Sequence, residues 1–387
     1  MSSPRPSPRP SPRPSPRPSP RPSPRPSPRP SPAPAPLDST VYDIVIVAGQ
    51  SNSLSAGLRN LCDSTSLPDC LRVDLTKNSS SRGAITGVGG IDYVNGSLVK
   101  MFACDYDMDF TRQDIRNHLG IDPDLHFNRI VDMKEPLDSF SHENREGVSF
   151  ASSFANEYIR RNGSSMASAR KKLLIVGCGV SATSLSEWKG DLAAQTIERL
   201  RKVRSLLTPT NTSKVVAFLW HQGESDMNNT IAPIIIGGVF QSNEMINKKI
   251  NIFKLDLQRL LSGMRTDIIG IFTGNNGNYR FPILIGGLCY HNRLNAPTGD
   301  DVMPYLIRFS NIMSQISNPT DQFYLEKSSF VSTDILTVGG PIYDFRRALV
   351  HNGSDDPNHF SATSMRELGK RYYYYYDLIK NTTTVTL

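Results

Sequence analysis

The run Val41-Tyr-Asp-Ile-Val-Ile-Val-Ala48 is β-branched and apolar along most of its length and halts at Gly49-Gln-Ser-Asn52. Such a run forms a strand, and a strand ending in glycine and then a small hydroxyl residue sets that hydroxyl at the carboxyl edge of a sheet, where α/β proteins hold their ligands. A helix amino terminus beyond it favours negative charge at the same place. Ser51 is therefore the first candidate nucleophile.

From Val41 onward strands alternate with helical patterns, which predicts an α/β fold with a mostly parallel sheet and helices on both faces. Residues 171–176, 214–220 and 267–272 read as buried strands. Helical periodicity covers 193–207, with Ile197, Leu200, Val203 and Leu207 on one face, and 243–263, where Gly263 is the expected stop. A last helix over about 361–380 carries Tyr372 to Tyr376. Five consecutive tyrosines cannot share one face, so some pack inward and the rest sit at the surface. Residues 62–145 and 273–303 are polar and weakly periodic and read as long loops with short elements, of the kind that shape substrate pockets.

At 387 residues and 38% hydrophobic content the chain is long enough for one large α/β domain or two small ones, and no break in composition demands a second. Residues 1–40 read as a repeat tail and linker, and 41–387 as the folded domain. The formal charge of +7 belongs to the tail: Arg5, Arg9, Arg13, Arg17, Arg21, Arg25 and Arg29 lie in a stretch without acids, and without them the rest of the chain has no net charge. The pI of about 9.1 therefore describes the tail. A neutral body gives no reason to expect nucleic-acid binding by the folded domain. Proline at every second position of the Ser-Pro-Arg-Pro repeat removes backbone donors and fixes φ, which predicts an extended arm that packs on nothing. Its functional readings are a ligand for an SH3-type partner, a phosphorylatable array or a basic arm drawn to an anionic partner; its plain reading is a disordered spacer.

Five cysteines without a Cys-x-x-Cys pair suggest neither a disulfide scaffold nor a zinc site. Cys62 and Cys70 are close enough for one loop-closing bridge, and Cys178 reads as a small buried hydrophobe. No apolar run reaches the ~18 residues of a membrane span, and the amino terminus has no apolar signal-peptide core. The sequence leaves the compartment open.

Three further blocks supply what a serine nucleophile needs. Asp355-Asp-Pro-Asn-His-Phe360 sets Asp356 three residues before His359, a spacing that lets the carboxylate hold one imidazole tautomer. By itself it is equally a capping turn ahead of a helix. Phe218-Leu-Trp-His-Gln-Gly-Glu-Ser-Asp226 leaves a buried strand with Gln222, whose amide N–H suits an oxyanion. Glu224 and Asp226 could be taken for a general acid/base pair, but carboxylates two apart on a loop normally serve the loop's own hydrogen bonds, and Glu224 is expected to be structural. His221 is expected to pack or bond locally. Finally, Val176-Gly-Cys-Gly-Val-Ser-Ala-Thr-Ser-Leu-Ser-Glu-Trp188 runs from a strand end into small residues, which let a backbone N–H approach an oxyanion.

Together these blocks resemble the SGNH-hydrolase superfamily, in its branch of sialate O-acetylesterases and plant-type acetylxylan esterases. Gly49-Gln-Ser-Asn52 is similar to that branch's nucleophile block, Trp220-His-Gln-Gly-Glu-Ser-Asp226 to its Trp-x-Gln-Gly-Glu-Ser/Ala-Asp block, and Asp356-Pro-Asn-His359 to its Asp-x-x-His block. Glu135-Pro-Leu and Gly147-Val-Ser-Phe-Ala151 resemble the segment before its second strand. The resemblance implies a flavodoxin-like three-layer α/β/α sandwich and hydrolysis of O-acetyl groups on a carbohydrate without metal or organic cofactor. It assigns Ser51 as nucleophile, His359 as base, Asp356 as its orienter, and an oxyanion hole of Ser51, Ala182 and Gln222. Where the family usually has a glycine pair this chain has Ser181 and Ala182; either backbone N–H can donate, and a turn needing positive φ would be strained there. Rival readings are a lipase or thioesterase on the same site, and an inactive carbohydrate-binding module with a Pro/Arg-rich interaction arm.

Overall fold

The structure is a computed structural model describing residues 37–53, 57–58, 97–103, 128–133, 147–208, 212–227, 243–272, 279–288, 303–334, 359–360 and 362–381. Its strands are β1 (Val41–Gly49), β2 (Gly57–Leu58), β3 (Val99–Ala103), β4 (Arg129–Asp132), β5 (Gly147–Val148), β6 (Lys171–Gly177), β7 (Lys214–His221), β8 (Ile283–Gly286) and β9 (Ser328–Val331). Its helices are α1 (Phe150–Ser168), α2 (Leu185–Glu187), α3 (Ala193–Leu206), α4 (Asn243–Phe272), α5 (Met303–Gln315) and α6 (Ala362–Ile379), with a π-helical turn, Trp188–Leu192, joining α2 to α3.

Seven strands form one sheet in the order β4-β3-β6-β1-β7-β8-β9. Every neighbouring pair is parallel except β3 with β4. The five strands β6-β1-β7-β8-β9 follow the 2-1-3-4-5 order of flavodoxin-like folds, with β1 between the strands on either side of the switch in order. β2 and β5 make a separate antiparallel pair.

Both faces of the sheet are covered, which is why β1 is apolar almost without interruption. Ile44, Ile46 and Ala48 pack with Leu200, Val203, Leu257, Leu261 and Met313 from α3, α4 and α5. The intervening Val45 and Val47 pack with Phe150, Phe154, Leu368 and Tyr372 from α1 and α6. The α/β sandwich expected from the sequence is thus present. Ser149 caps α1, its Oγ accepting the Ala151 N–H at 3.1 Å. A Cβ on Gly369 would lie 2.2 Å from the Phe150 carbonyl oxygen, so glycine lets α6 rest directly against the start of α1.

The expected strand over 267–272 is instead the end of α4, which runs through Gly263 and Gly270. Leu257, Leu261, Met264 and Ile268 continue one buried face at helical spacing, and that packing outweighs the ~1 kcal/mol that a mid-helix glycine costs relative to alanine. The strand of this region is β8, inside the stretch read as loop; its four residues are all buried, but four apolar residues carry too little periodicity to reveal it. β3 and β4 are short elements of the other stretch read as loop. Of the tyrosine run, Tyr372, Tyr373 and Tyr376 are buried, whereas Tyr374 and Tyr375 are half-buried. No described helix is long and apolar enough to cross a membrane.

Candidate active site

Ser51 opens a single 3-10 turn, Ser51–Ser53, directly beyond β1, and all three residues are buried. The turn starts at Gly49, whose φ of +127° and 2.0 Å approach of a hypothetical Cβ to the His221 carbonyl oxygen admit only glycine. Gln50 then ties β1 to β7. Its N–H donates to His221 O at 2.9 Å, and its Oε1 accepts the Ser225 N–H at 3.1 Å. The Gln50 carbonyl in turn accepts Ser53 N–H at 2.7 Å and Ser53 Oγ at 2.6 Å.

The segment after β6 is held against the same strand end, with the Val180 N–H donating to Gly49 O at 2.9 Å. Thr183 Oγ1 donates to the Val180 carbonyl at 2.8 Å and accepts the indole N–H of Trp188 at 3.0 Å. Trp188 stands edge-on to Trp220, so a fully buried aromatic pair underlies this turn. Ala182 is exposed and has φ +56°. The backbone at Ala182 is therefore left-handed, and alanine bears a cost of ~1–2 kcal/mol for it.

Gln222 follows β7 and is fully buried. Its Nε2 donates to Asp226 Oδ2 and lies 3.4 Å from the Thr183 carbonyl oxygen. Asp226 also accepts the Leu185 N–H, at 3.1 Å to Oδ1 and 2.9 Å to Oδ2. Burial pushes the Asp226 carboxyl up to about 6, against the opposing pull of those Gln222 and Leu185 bonds.

Behind the serine runs a buried polar chain. Asn52 Nδ2 donates to Glu224 Oε1 at 2.6 Å, and the same oxygen lies 3.3 Å from His221 Nε2. His221 Nδ1 faces the Tyr372 hydroxyl at 3.1 Å, and that hydroxyl donates to Trp220 O at 2.7 Å. A hydroxyl has one proton, so with the Tyr372 proton on Trp220 O, Nδ1 must be the donor to Tyr372. Burial alone pushes the Glu224 carboxyl up, but the His221 and Asn52 contacts overcome it and hold the group below its usual range. A Cβ on Gly286 would fall 2.2 Å from both His221 Nδ1 and Tyr372 Oη, so β8 presses against this chain.

Ser51, Ala182 and Gln222 thus lie just beyond the carboxyl ends of β1, β6 and β7, three adjacent parallel strands. His359 precedes Phe360, whose N–H donates to Asn52 Oδ1 at 3.2 Å, placing the histidine's segment beside the serine turn. Asp356 lies outside the described residues, as do Glu135, Cys62, Cys70 and the Ser-Pro-Arg-Pro tail. Glu224 is engaged within the fold as expected, and Cys178 is buried, its thiol donating to the Val176 carbonyl oxygen at 3.8 Å. The reading of the sequence missed Asn52 and Tyr372. Asn52 could have been suspected, because a buried amide beside the nucleophile must find partners; Tyr372 had no signal within its tyrosine run.

Among the described residues no cluster of three or more His, Cys, Asp or Glu side chains could hold a metal. Residues 105–234 match the family described as carbohydrate esterase, sialic acid-specific acetylesterase. That segment contains the Val176–Trp188 and Trp220–Asp226 blocks, whereas Ser51 and His359 lie on either side of it. No curated protein matches the chain. Similar solved structures include a protein from Arabidopsis thaliana, 16% identical over 87% of this chain and 97% of that one, with a TM-score of 0.49. They also include a lipase from a goat rumen metagenome, 12% identical over 57% of this chain and 86% of that one, with a TM-score of 0.35. The family read from the sequence blocks is borne out over residues 105–234, which match the carbohydrate esterase family of sialic acid-specific acetylesterases.

Proposed function

We propose that the protein is a serine esterase that removes O-acetyl groups from a carbohydrate through an acetyl-enzyme. The observation that carries this reading is the Asn52–Phe360 hydrogen bond, which docks the segment of His359 beside the turn of Ser51 at the carboxyl edge of the sheet. The family match to acetylesterases supports the acyl chemistry.

In this mechanism His359 takes the Ser51 proton as Oγ attacks the acetyl carbonyl, with Asp356 steadying the imidazolium. The tetrahedral oxyanion is held by the Ser51 and Ala182 backbone N–H groups and by an N–H of the Gln222 amide. Collapse breaks the ester bond, and His359 returns its proton to the departing sugar hydroxyl. Water, deprotonated by the same imidazole, then cleaves the acetyl-serine to acetate and free Ser51. The substrate class is an acetylated xylan-like polysaccharide or an O-acetyl sialic acid.

Acetate release from O-acetylated xylan, O-acetyl sialic acid and p-nitrophenyl acetate tests the reading. The wild-type protein should act on at least one of the two sugars and on the aryl ester, and Ser51→Ala should be close to inert on each. Equal rates for the two proteins would refute it. An aryl ester series that favours long acyl chains over acetyl would transfer the site to a lipase or thioesterase.

A further inference from the structure

The Gln222 amide has an end with two protons and an end with only lone pairs, and its surroundings select between them. The half-buried Asp226 carboxylate faces Nε2, and an ionised carboxylate can only accept. Turning the amide over would set Oε1 against that carboxylate, oxygen to oxygen. The other end pays for the choice: Oε1 is buried without a hydrogen-bond partner. One Nε2 proton is taken by Asp226. The second faces the Thr183 carbonyl at 3.4 Å, too long for a strong bond, and so remains available to a better acceptor. The same carboxylate grips the Leu185 N–H with both oxygens, at the far end of the turn that contains Ala182 and Thr183.

We propose that Asp226 is a positioning residue of the oxyanion site: it sets the Gln222 amide nitrogen-first and fastens the turn carrying Ala182 to the same anchor. This rests on the esterase reading, in which those two groups receive the acyl oxyanion. Asp226 itself touches no reacting atom. Asparagine at 226 would remove the discrimination, because it can donate to Oε1 as readily as it accepts from Nε2.

The test is a double-mutant cycle on p-nitrophenyl acetate with wild type, Gln222→Ala, Asp226→Asn and the double variant. Gln222→Ala should lower kcat by ~10²–10³, the usual loss of one oxyanion donor. Asp226→Asn should lower kcat by roughly 10–10² with KM changed less than about threefold, as for an interaction made only in the transition state. The double variant should lose clearly less than the product of the two single losses, because the amide-orienting share of the Asp226 effect is already gone in Gln222→Ala, while the share through the Leu185 anchor persists. Wild-type kcat in Asp226→Asn, or losses that multiply in the double variant, would overturn the proposal. The exchanged pair Gln222→Glu with Asp226→Asn keeps a hydrogen bond but moves its donor to position 226; it should fold and be as slow as Gln222→Ala, and wild-type turnover by it would likewise overturn the proposal. A wild-type protein that hydrolyses neither acetylated sugars nor the aryl ester overturns this inference and the esterase reading together. An active wild type with an impaired Gln222→Ala and an unimpaired Asp226→Asn overturns the inference alone.

Discussion

The side-chain carbonyl of Asn52 accepts the backbone N–H of Phe360 at 3.2 Å, while the other end of the same amide donates to Glu224. One buried amide thus joins the serine turn, the chain after His359 and the loop beyond β7. Asn52→Ala should lose both bonds and leave Glu224 short of a donor. A stability loss of ~2–4 kcal/mol in urea unfolding is expected from two buried hydrogen bonds, one to a charged group. Turnover should fall with it, because the histidine's segment loses its tie to the serine. A variant as stable and as active as wild type would show that the bond positions nothing.

Ala182 occupies a left-handed conformation at φ +56°. Ala182→Gly should remove the ~1–2 kcal/mol of strain and give back part of it as unfolded-chain entropy, for a net gain of roughly 0.5–1 kcal/mol. The melting temperature should rise by about 1–4 °C, and Ala182→Val should lower it. A drop in Ala182→Gly would mean that the turn does not hold this conformation.

One Glu224 oxygen meets both Asn52 and His221, and glutamine keeps an acceptor there for the Asn52 amide. Glu224→Gln should therefore cost less than about 1.5 kcal/mol, against ~3–5 kcal/mol for Glu224→Ala, which leaves the partners of a buried ionic group unmatched. The two urea midpoints give the comparison directly. Equal losses in the two variants would show that the bond from Asn52 contributes little to stability.

The same carboxyl sets a pH dependence. Its folded value is depressed, so its contribution to stability is complete above the unfolded value of about 4.3 and drains away as pH falls through the lower folded value. Wild-type stability should decline below about pH 4 more steeply than that of Glu224→Gln. Urea midpoints between pH 2 and pH 7 measure this, and parallel acid limbs would contradict it.

A side chain on Gly286 would intrude between His221 and Tyr372. Gly286→Ala should cost at least ~3 kcal/mol, because the Cβ meets packed ring and hydroxyl atoms that β8 and α6 hold in place. Soluble yield and thermal midpoint report it. A variant with the wild-type midpoint would show that β8 can draw back.

The legible parts of the fold were those with length and unbroken patterning. β1, β6 and β7 are long, apolar and terminated by glycine or polar residues, so their type and their carboxyl ends could be read, and with them the addresses of Ser51, Ala182 and Gln222. β8 was hidden because its burial comes from neighbours contributed by distant parts of the chain, β7 and β9. The extension of α4 was hidden by Gly263, where local propensity argued for a stop that tertiary packing overrode. At the carboxyl edge of the sheet, the motifs conveyed that Ser51, Ala182 and Gln222 follow adjacent strands but not what holds them there. The Asn52 and Asp226 bonds cross 308 and 41 residues of sequence, separations at which no local pattern operates.

β1 is flanked on both sides by parallel partners that come later in the chain, β6 and β7. The serine turn is therefore assembled late by construction: a nascent or proteolysed chain ending before residue 214 has the hydroxyl but lacks the neighbour whose His221 carbonyl receives Gln50. In the proposed esterase, reactivity of Ser51 toward an electrophile therefore requires completed central strand pairing, and every fragment that stops short of β7 should stay dark.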